Sequence, residues 1–332
     1  MSKPTVSILI PTYNRENLIT ETVQSALNQT YQDFEIIIVD NQSTDNTYQV
    51  CLDLAKTDPR IRVYQNEENI GPVRNWQRCV ELANGEYAKI LFSDDLIHPM
   101  FLEKTLNLFS DDVGFVFTSI ALGNALNVVK RYECFWLFNL KIRSSKFVAF
   151  FIKKIINVHP GCAIFRTKDL SKNLLTTIES PGLSGFENHG AGVDILPFLL
   201  TAQECDTVAY EASPLAFFRG HNQSISVKMN SKSSSSLFMY YDQAKIWFVE
   251  KFDYMNLCKY MYIASWIDRM RKEDNNIDFC TSCKSYTTKP VDITWIKIFA
   301  LFLEVKVLQV FIKSRNLLYF WILNFKFKNL YS

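Results

Sequence analysis

Four short polar clusters near the amino terminus carry side chains suited to chemistry: PTYN from Pro11 to Asn14, VDN from Val39 to Asn41, NIGPVRN from Asn69 to Asn75, and SDD from Ser93 to Asp95. Tyr13 offers a ring face on which a nucleobase could stack. Asp40, as an ionised acceptor, would favour a base with a ring N–H, which uracil and thymine have and cytosine lacks at the same position. Asp94 and Asp95 are hard oxygen donors suited to Mg²⁺ or Mn²⁺, cations that share their coordination with a diphosphate. Each residue alone has a plainer use, because an Asp after a strand commonly forms a turn or caps a helix.

Several nucleotide chemistries are excluded. Where a dinucleotide fold would need a GxGxxG turn after the first strand, the chain has PTYN, and no GxxxxGK[ST] loop is present. With 36 basic and 34 acidic residues the net charge is +2, so no chain-wide field attracts nucleic acid. Eight cysteines scattered over 332 residues imply reduced thiols rather than a disulfide framework. Cys280 and Cys283 form a single CxxC with no second pair, which points to a loop or packing role rather than zinc.

The clusters follow or link short apolar runs that read as strands: Val6 to Ile10, Phe34 to Val39 and Tyr87 to Phe92. Between them, Leu18, Ile19, Thr22, Val23, Ala26 and Leu27 lie on one side of a helical period. Thr44 is placed to cap the next helix, Pro72 to stand in the first turn of another, and Asn84-Gly85 to end it. Strand and helix alternate, so a parallel sheet built from βαβ units is expected, with ligands at the carboxyl ends of its strands. Further strands are expected at Val113 to Ile120, Gly161 to Phe165 and Val208 to Arg219, with a helix from Gly192 to about Gln203. The aromatic and basic stretch from Lys130 to Lys154 yields no assignment.

The low-complexity run NSKSSSS at 230–236 reads as a linker. It divides the chain into an expected catalytic domain at 1–229 and a helical, aromatic and basic region at 237–332, with Leu237 to Met270 helical. No run of about 18 uncharged apolar residues could cross a membrane, since Lys297, Glu304, Lys306, Lys313 and Arg315 interrupt the last third. Two readings of that third stand side by side. It could be a pair of buried helices on the catalytic domain, or an interfacial anchor whose Tyr319, Trp321, Tyr331, Lys326 and Lys328 suit the headgroup zone. The amino terminus runs straight into a strand without a secretory signal, so a cytoplasmic location, at the inner face of the cell membrane, is expected.

The motifs together resemble a known family. VSILIPTYNRENLITETVQSALNQTYQDFEIIIVDNQSTDNT and NIGPVRNWQRCVELANGEYAKILFSDDLIHP are similar to the donor-binding half of family-two glycosyltransferases of the GT-A fold. The resemblance is clearest over Val6 to Pro99 and returns in GVDILPFLLTAQECDTVAYEASPLAFFRGHNQSIS, Gly192 to Ser226. It implies an α/β fold with a mostly parallel open sheet flanked by helices, here followed by a helical carboxy-terminal extension. By resemblance Thr12, Tyr13 and Asp40 hold a uridine or thymidine base, and Arg74 lies near the nucleotide. Asp94 and Asp95 end the metal-binding acidic motif, Asp194 is the catalytic base, and Arg219 and His221 lie close to the donor diphosphate or acceptor.

Two positions depart from the family pattern: Phe92 stands where an Asp is common two places before the metal-binding one, and Val193 stands where a Glu often precedes the base. The implied reaction is an inverting displacement from a UDP- or dTDP-sugar, assisted by Mg²⁺ or Mn²⁺, onto a lipid-linked or cell-surface polysaccharide acceptor. The alternative is a catalytically weak sugar-nucleotide binding or scaffold protein in a polysaccharide assembly, an idea that Phe92 motivates. A nucleotidyltransferase is disfavoured because its glycine-rich, basic amino-terminal loop is missing.

Overall fold

The computed structural model describes residues 3–125, 128–220, 234–272, 278–287, 299–308, 310–311 and 314–315. Strands β1 (Val6–Thr12) and β2 (Phe34–Asp40) are buried along their whole length, as central parallel strands must be, and pair in parallel with Thr12 opposite Asp40. β3 (Ile61–Gln65) continues the parallel ladder beyond β2, and β4 (Tyr87–Ile90) joins the other side of β1. The strand at β3 went unread in the sequence, because only Ile61 in it is fully buried.

Crossover helices cover both faces. α1 (Ile19–Leu27) and α2 (Thr47–Ala55) pack with Ile8, Ile10, Ile36 and Ile38, whereas α3 (Pro72–Glu81) packs with Leu9, Ile37 and Val39 from the opposite side. The change of face between β1 and β4 makes a switch point there, and a crevice opens outside their carboxyl ends. Pro72 begins α3 as expected, but Thr44 does not cap α2: its N–H goes to Asn14 Oδ1 at 2.9 Å, and Asp45 accepts the Thr47 N–H instead.

The strand order is β3-β2-β1-β4-β9-β6-β10-β5. The parallel character expected of the sheet holds from β3 to β4 and again between β6 (Val113–Ala125) and β10 (Thr207–Arg219). Antiparallel ladders join β9 (Ala163–Arg166) to β4 and β6, and the short β5 (Leu96–Ile97) to β10. Within the unassigned stretch 130–154 lie most of β7 (Val128–Glu133), all of β8 (Leu140–Arg143) and α5 (Ser144–Ile152). α4 (Phe101–Leu106) and α6 (Thr167–Asn173) are short covers, and α7 (Leu196–Glu204) follows a tight turn at Val193–Ile195.

The carboxy-terminal region begins inside the expected linker, since α8 runs from Ser234 to Lys251; residues 230–233 lie outside the described residues. The single helical stretch expected there is two helices, broken before α9 (Met255–Lys272) at Asp253, whose φ is +54°. Ile246, Phe248, Val249, Met261, Ile263 and Ile267 join the same core as α3, α5 and α7, so these helices form a buried layer on the sheet. Lys154, just beyond α5, fastens that layer with Nζ 2.9 Å from Asp268 and 3.7 Å from the buried Asp242. Cys283 is buried in α10 (Phe279–Lys284), and the Cys280 side chain lies outside those described.

The loop before Val193–Ile195 is held between α3 and α8. Gly190 has φ +76°, and a Cβ there would stand 2.2 Å from the Trp76 ring of α3; Gly192 has φ +88°, and its Cβ would stand 2.5 Å from the Tyr240 carbonyl of α8. A side chain at either place meets both left-handed strain and a clash. Gly190→Ala is therefore expected to lower unfolding free energy by about 3 kcal/mol in urea titration. Gly182→Ala, with its nearest contact at 3.6 Å, serves as the near-neutral control.

Candidate active site

The loops that leave β1 and β2 are tied to each other before any ligand is considered. Asn14, at φ +52°, donates its N–H to Ser43 Oγ at 2.9 Å, and the Arg15 N–H reaches Thr47 Oγ1 at 2.6 Å. Thr12, Asp40 and Gln65 stand in register at the ends of three neighbouring strands. Asp40 is fully buried: Oδ2 accepts from the Ser43 N–H and from Gln65 Nε2, both at 3.0 Å, and Oδ1 accepts the Ser43 hydroxyl. With two acceptor positions per oxygen, Oδ1 keeps one to spare. Beside it, Thr12 Oγ1 is buried without a hydrogen-bond partner, and the Tyr13 ring is 40% exposed.

The NIGPVRN cluster is anchored to the end of β2 by asparagines. Asn41 Nδ2 donates to Asn69 Oδ1 at 2.8 Å, Asn66 Nδ2 bridges to Asn41 and Asn75 at 2.9 Å each, and Asn75 Nδ2 reaches the Val39 carbonyl at 3.0 Å. This network fixes the start of α3, and Arg74 stands exposed in its first turn.

The SDD cluster follows β4. Asp94 lies 3.3 Å from Arg15 Nη2, a partner that the sequence reading did not single out although it directly follows PTYN. Asp95 is buried and accepts the Arg219 N–H at 3.0 Å; burial, then the neighbouring Asp94 charge, pushes its carboxyl well above the usual range. Arg219 spends Nη1 on Glu21 at 2.6 Å, while its Nε and Nη2, like Arg15 Nε, are buried without hydrogen-bond partners. Asp94 therefore faces the Arg15 guanidinium and Asp95 the Arg219 backbone, while both arginines keep side-chain donors unspent. A divalent cation fits this donor set, since Mg²⁺ typically takes one or two carboxylates and completes its shell with phosphate oxygens. Among the described residues no group of three or more His, Cys, Asp or Glu could hold a metal unaided.

Phe92 does not leave a gap where an acid might have stood. Its ring packs on Trp76, centroids 5.4 Å apart, and Trp76 in turn meets the Gly190 backbone. This contact chain links the SDD turn to the loop bearing Asp194. Asp194 is half-buried; Oδ1 accepts the Gly192 N–H at 3.1 Å and Oδ2 accepts the Tyr241 hydroxyl at 2.9 Å. Burial pushes its carboxyl up to about 7, against the opposing pull of those donors, which suits a base working near neutrality. His189, also missed in the sequence, accepts the Ala191 N–H on Nδ1 and keeps a buried Nε2 without a partner. Its GxxNHG-like glycine setting was the one available signal. Thr12, Asp40, Asp94, Asp95 and Arg219 thus stand at the sheet edge with Tyr13 and Arg74 on the rim, and Asp194 lies on a separate loop that the Phe92–Trp76–Gly190 contacts tie to the SDD turn. His221 lies outside the described residues.

Residues 7–174, more than half of the chain, match the family model described as Glycosyl transferase family 2. Curated relatives include a putative teichuronic acid biosynthesis glycosyltransferase, TuaG, of Bacillus subtilis, 39% identical over 36% of this chain and 48% of its own length. A GalNAc(5)-diNAcBac-PP-undecaprenol beta-1,3-glucosyltransferase of Campylobacter jejuni is 30% identical over 39% of this chain and 42% of its own. The chain thus spans under half the length of these two relatives. Among solved structures, S. aureus TarS 1-349 in complex with UDP aligns with a TM-score of 0.54 at 17% identity, covering 91% of this chain and 80% of that one. A mannosyltransferase from Pyrobaculum calidifontis, solved with GDP-Man and Mn²⁺, aligns at 0.51 and 16% identity over 93% and 81%. The fold is GT-A.

If Asp94 and Asp95 share a cation with a diphosphate, Asp94→Asn should weaken Mn²⁺-dependent UDP binding at least about ten-fold by calorimetry, while binding measured in EDTA changes little. Equal losses with and without metal would remove Asp94 from the cation site.

Proposed function

Because the chain belongs to glycosyl transferase family 2, we propose that it is an inverting glycosyltransferase. In this reading it moves a sugar from a UDP- or dTDP-sugar to a hydroxyl of a lipid-linked or cell-surface polysaccharide acceptor. The observation that carries the reading is the sheet edge itself, where an unpartnered Thr12 hydroxyl and Asp40 adjoin two acids bracketed by Arg15 and Arg219. Tyr13 stacks on the base, and the ring N–H meets the spare position on Asp40 Oδ1. Arg15 and Arg219 turn their unspent donors to the diphosphate, and Arg74 screens its charge from the rim.

Asp94 and Asp95 would hold Mg²⁺ or Mn²⁺, which would supply Lewis-acid stabilisation of a leaving diphosphate. Asp194 takes the proton from the acceptor hydroxyl as its oxygen bonds to the anomeric carbon and the bond to the β-phosphate oxygen breaks. Such a base is worth about 10²- to 10⁴-fold. Asp194→Asn is accordingly expected to cut turnover at least about 100-fold while UDP affinity stays near wild type. Asp40→Ala should erase the preference for UDP over GDP in competition binding, because a base lacking its buried partner loses its advantage. GDP bound as tightly as UDP by the unaltered protein would contradict the base assignment, and donor bound but never cleaved would favour the scaffold alternative.

The acceptor half of the proposal draws on the carboxy-terminal region. In the helical segment 299–308, Leu301, Phe302, Val305 and Leu308 pack on the core, while Phe299, Leu303 and Val307 are exposed and Val310 and Phe311 extend the apolar strip. Among the described residues no helix is long and apolar enough to cross a membrane. The strip, with Lys306 on the same helical segment, suits an anionic cytoplasmic leaflet, to which each basic residue adds about 1 kcal/mol. The paired variant Leu303→Glu with Val307→Glu should lower cosedimentation with phosphatidylglycerol vesicles several-fold without moving the thermal midpoint. Unchanged cosedimentation would end the membrane proposal.

A further inference from the structure

The hydrogen bond on Asp194 crosses from one part of the chain to another. Tyr241 belongs to α8, and its hydroxyl donates to Asp194 Oδ2 at 2.9 Å across 47 residues of sequence. The neighbouring Tyr240 holds the same loop: its hydroxyl donates to the Ser184 carbonyl at 2.8 Å, and its ring meets His189 and Phe186 edge-on, with centroids 4.3 and 4.9 Å away. The helix backbone closes the grip, because Gly192 leaves no room for a Cβ against the Tyr240 carbonyl. Backbone N–H groups of Gly192 and Ile195 also act on this half-buried carboxylate, but among its donors the Tyr241 hydroxyl opposes the effect of burial most.

We propose that Tyr241, supplied by the carboxy-terminal helical layer, is the positioning residue of the proton-accepting carboxylate, fixing the plane of Asp194 and stabilising its charged form. The inference rests on Asp194 being the base and extends that reading, since it makes the carboxy-terminal layer part of the catalytic apparatus. Tyr241 keeps its own proton throughout: burial, then the Asp194 charge, pushes its hydroxyl well above the ordinary range. The proton from the acceptor goes to Asp194 alone.

Other charged groups on the elements packed against Asp194 have other partners. On α8, Asp242 faces Lys154 with Lys245 nearby, Glu250 accepts from Tyr262, and Lys251 lies over the Trp247 ring. On α7, Glu204 pairs with Lys172 at 2.6 Å. On its own loop, His189 is kept neutral by burial, and Glu187 lies beside it and favours its charge. The Tyr241 hydroxyl is thus the side-chain donor that sets how readily Asp194 ionises.

The sign follows from the bond. A donor to the carboxylate lowers its pKa, so its removal moves the acid limb of the pH–rate profile upward. In sugar transfer by the full chain, kcat/KM should rise through an acid limb near 7 for the unaltered protein. Tyr241→Phe should shift that limb up by about one pH unit, so that activity falls about ten-fold at pH 6 and recovers to within about two-fold at pH 9. Tyr240→Phe, which removes the hydroxyl one residue away, should leave the limb in place. Should Tyr241→Phe fail to fold, 3-fluorotyrosine at position 241 keeps the ring, strengthens the donor, and should move the limb downward. A limb unmoved by both changes, or an equal loss at every pH, overturns the inference. Asp194→Asn separates the two failures: if it abolishes transfer while the Tyr241 variants leave the limb unmoved, the base stands and only the positioning role falls.

Discussion

A carboxylate buried without partners costs several kcal/mol, and this site buries Asp40 and Asp95 and half-buries Asp194. Each is compensated differently, and the differences sort them by use. Asp40 is satisfied by Ser43 and Gln65 within its own strand-end neighbourhood, so it is a fixed acceptor. Asp95 receives one backbone donor and sits beside a second acid, an arrangement whose strain a cation would relieve. Asp194 receives the Tyr241 hydroxyl and backbone donors, Gly192 among them, yet burial still holds it near neutrality, where a group can both take and release a proton.

These compensations explain why the loops are so closely tied to distant elements. The β1 and β2 loops hold each other through Asn14, Ser43 and Thr44, and the asparagine network holds the start of α3 to β2. Trp76 then carries that rigidity across to Gly190, and Tyr240 and Tyr241 complete it from α8. The inner face of the carboxy-terminal layer closes the core and holds the Asp194 loop, while Phe299, Leu303, Val307, Val310 and Phe311 are exposed.

The donor half of the site was legible in the sequence because its signals are local. β1, β2 and β4 are largely apolar runs, interrupted at Ser7, Glu35 and Lys89, and each is followed within a few residues by polar side chains. The rest depends on contacts between remote segments. Phe92 reads as a lost acid until its packing on Trp76 is seen, and nothing in the local sequence announces that Tyr241 reaches Asp194. β8 escaped because only Ile142 in it is buried, too short an alternation to read. In α8 every residue from Asp242 to Ile246 is buried, polar ones included, which erases the amphipathic period that marks a surface helix. The left-handed Gly190 and Gly192 could have been suspected from the density of glycine before Asp194, but not the aromatic rings they accommodate.

The central claim is that this edge binds a UDP- or dTDP-sugar and breaks its anomeric bond. Slow hydrolysis of a panel of sugar nucleotides in Mn²⁺ or Mg²⁺, followed without any acceptor, tests it most directly. The account predicts release of nucleoside diphosphate from one UDP- or dTDP-sugar, stopped by chelation, with GDP-, ADP- and CMP-sugars left intact. Cleavage of a purine sugar nucleotide in preference, or of none while the folded protein binds no nucleoside diphosphate, would contradict it.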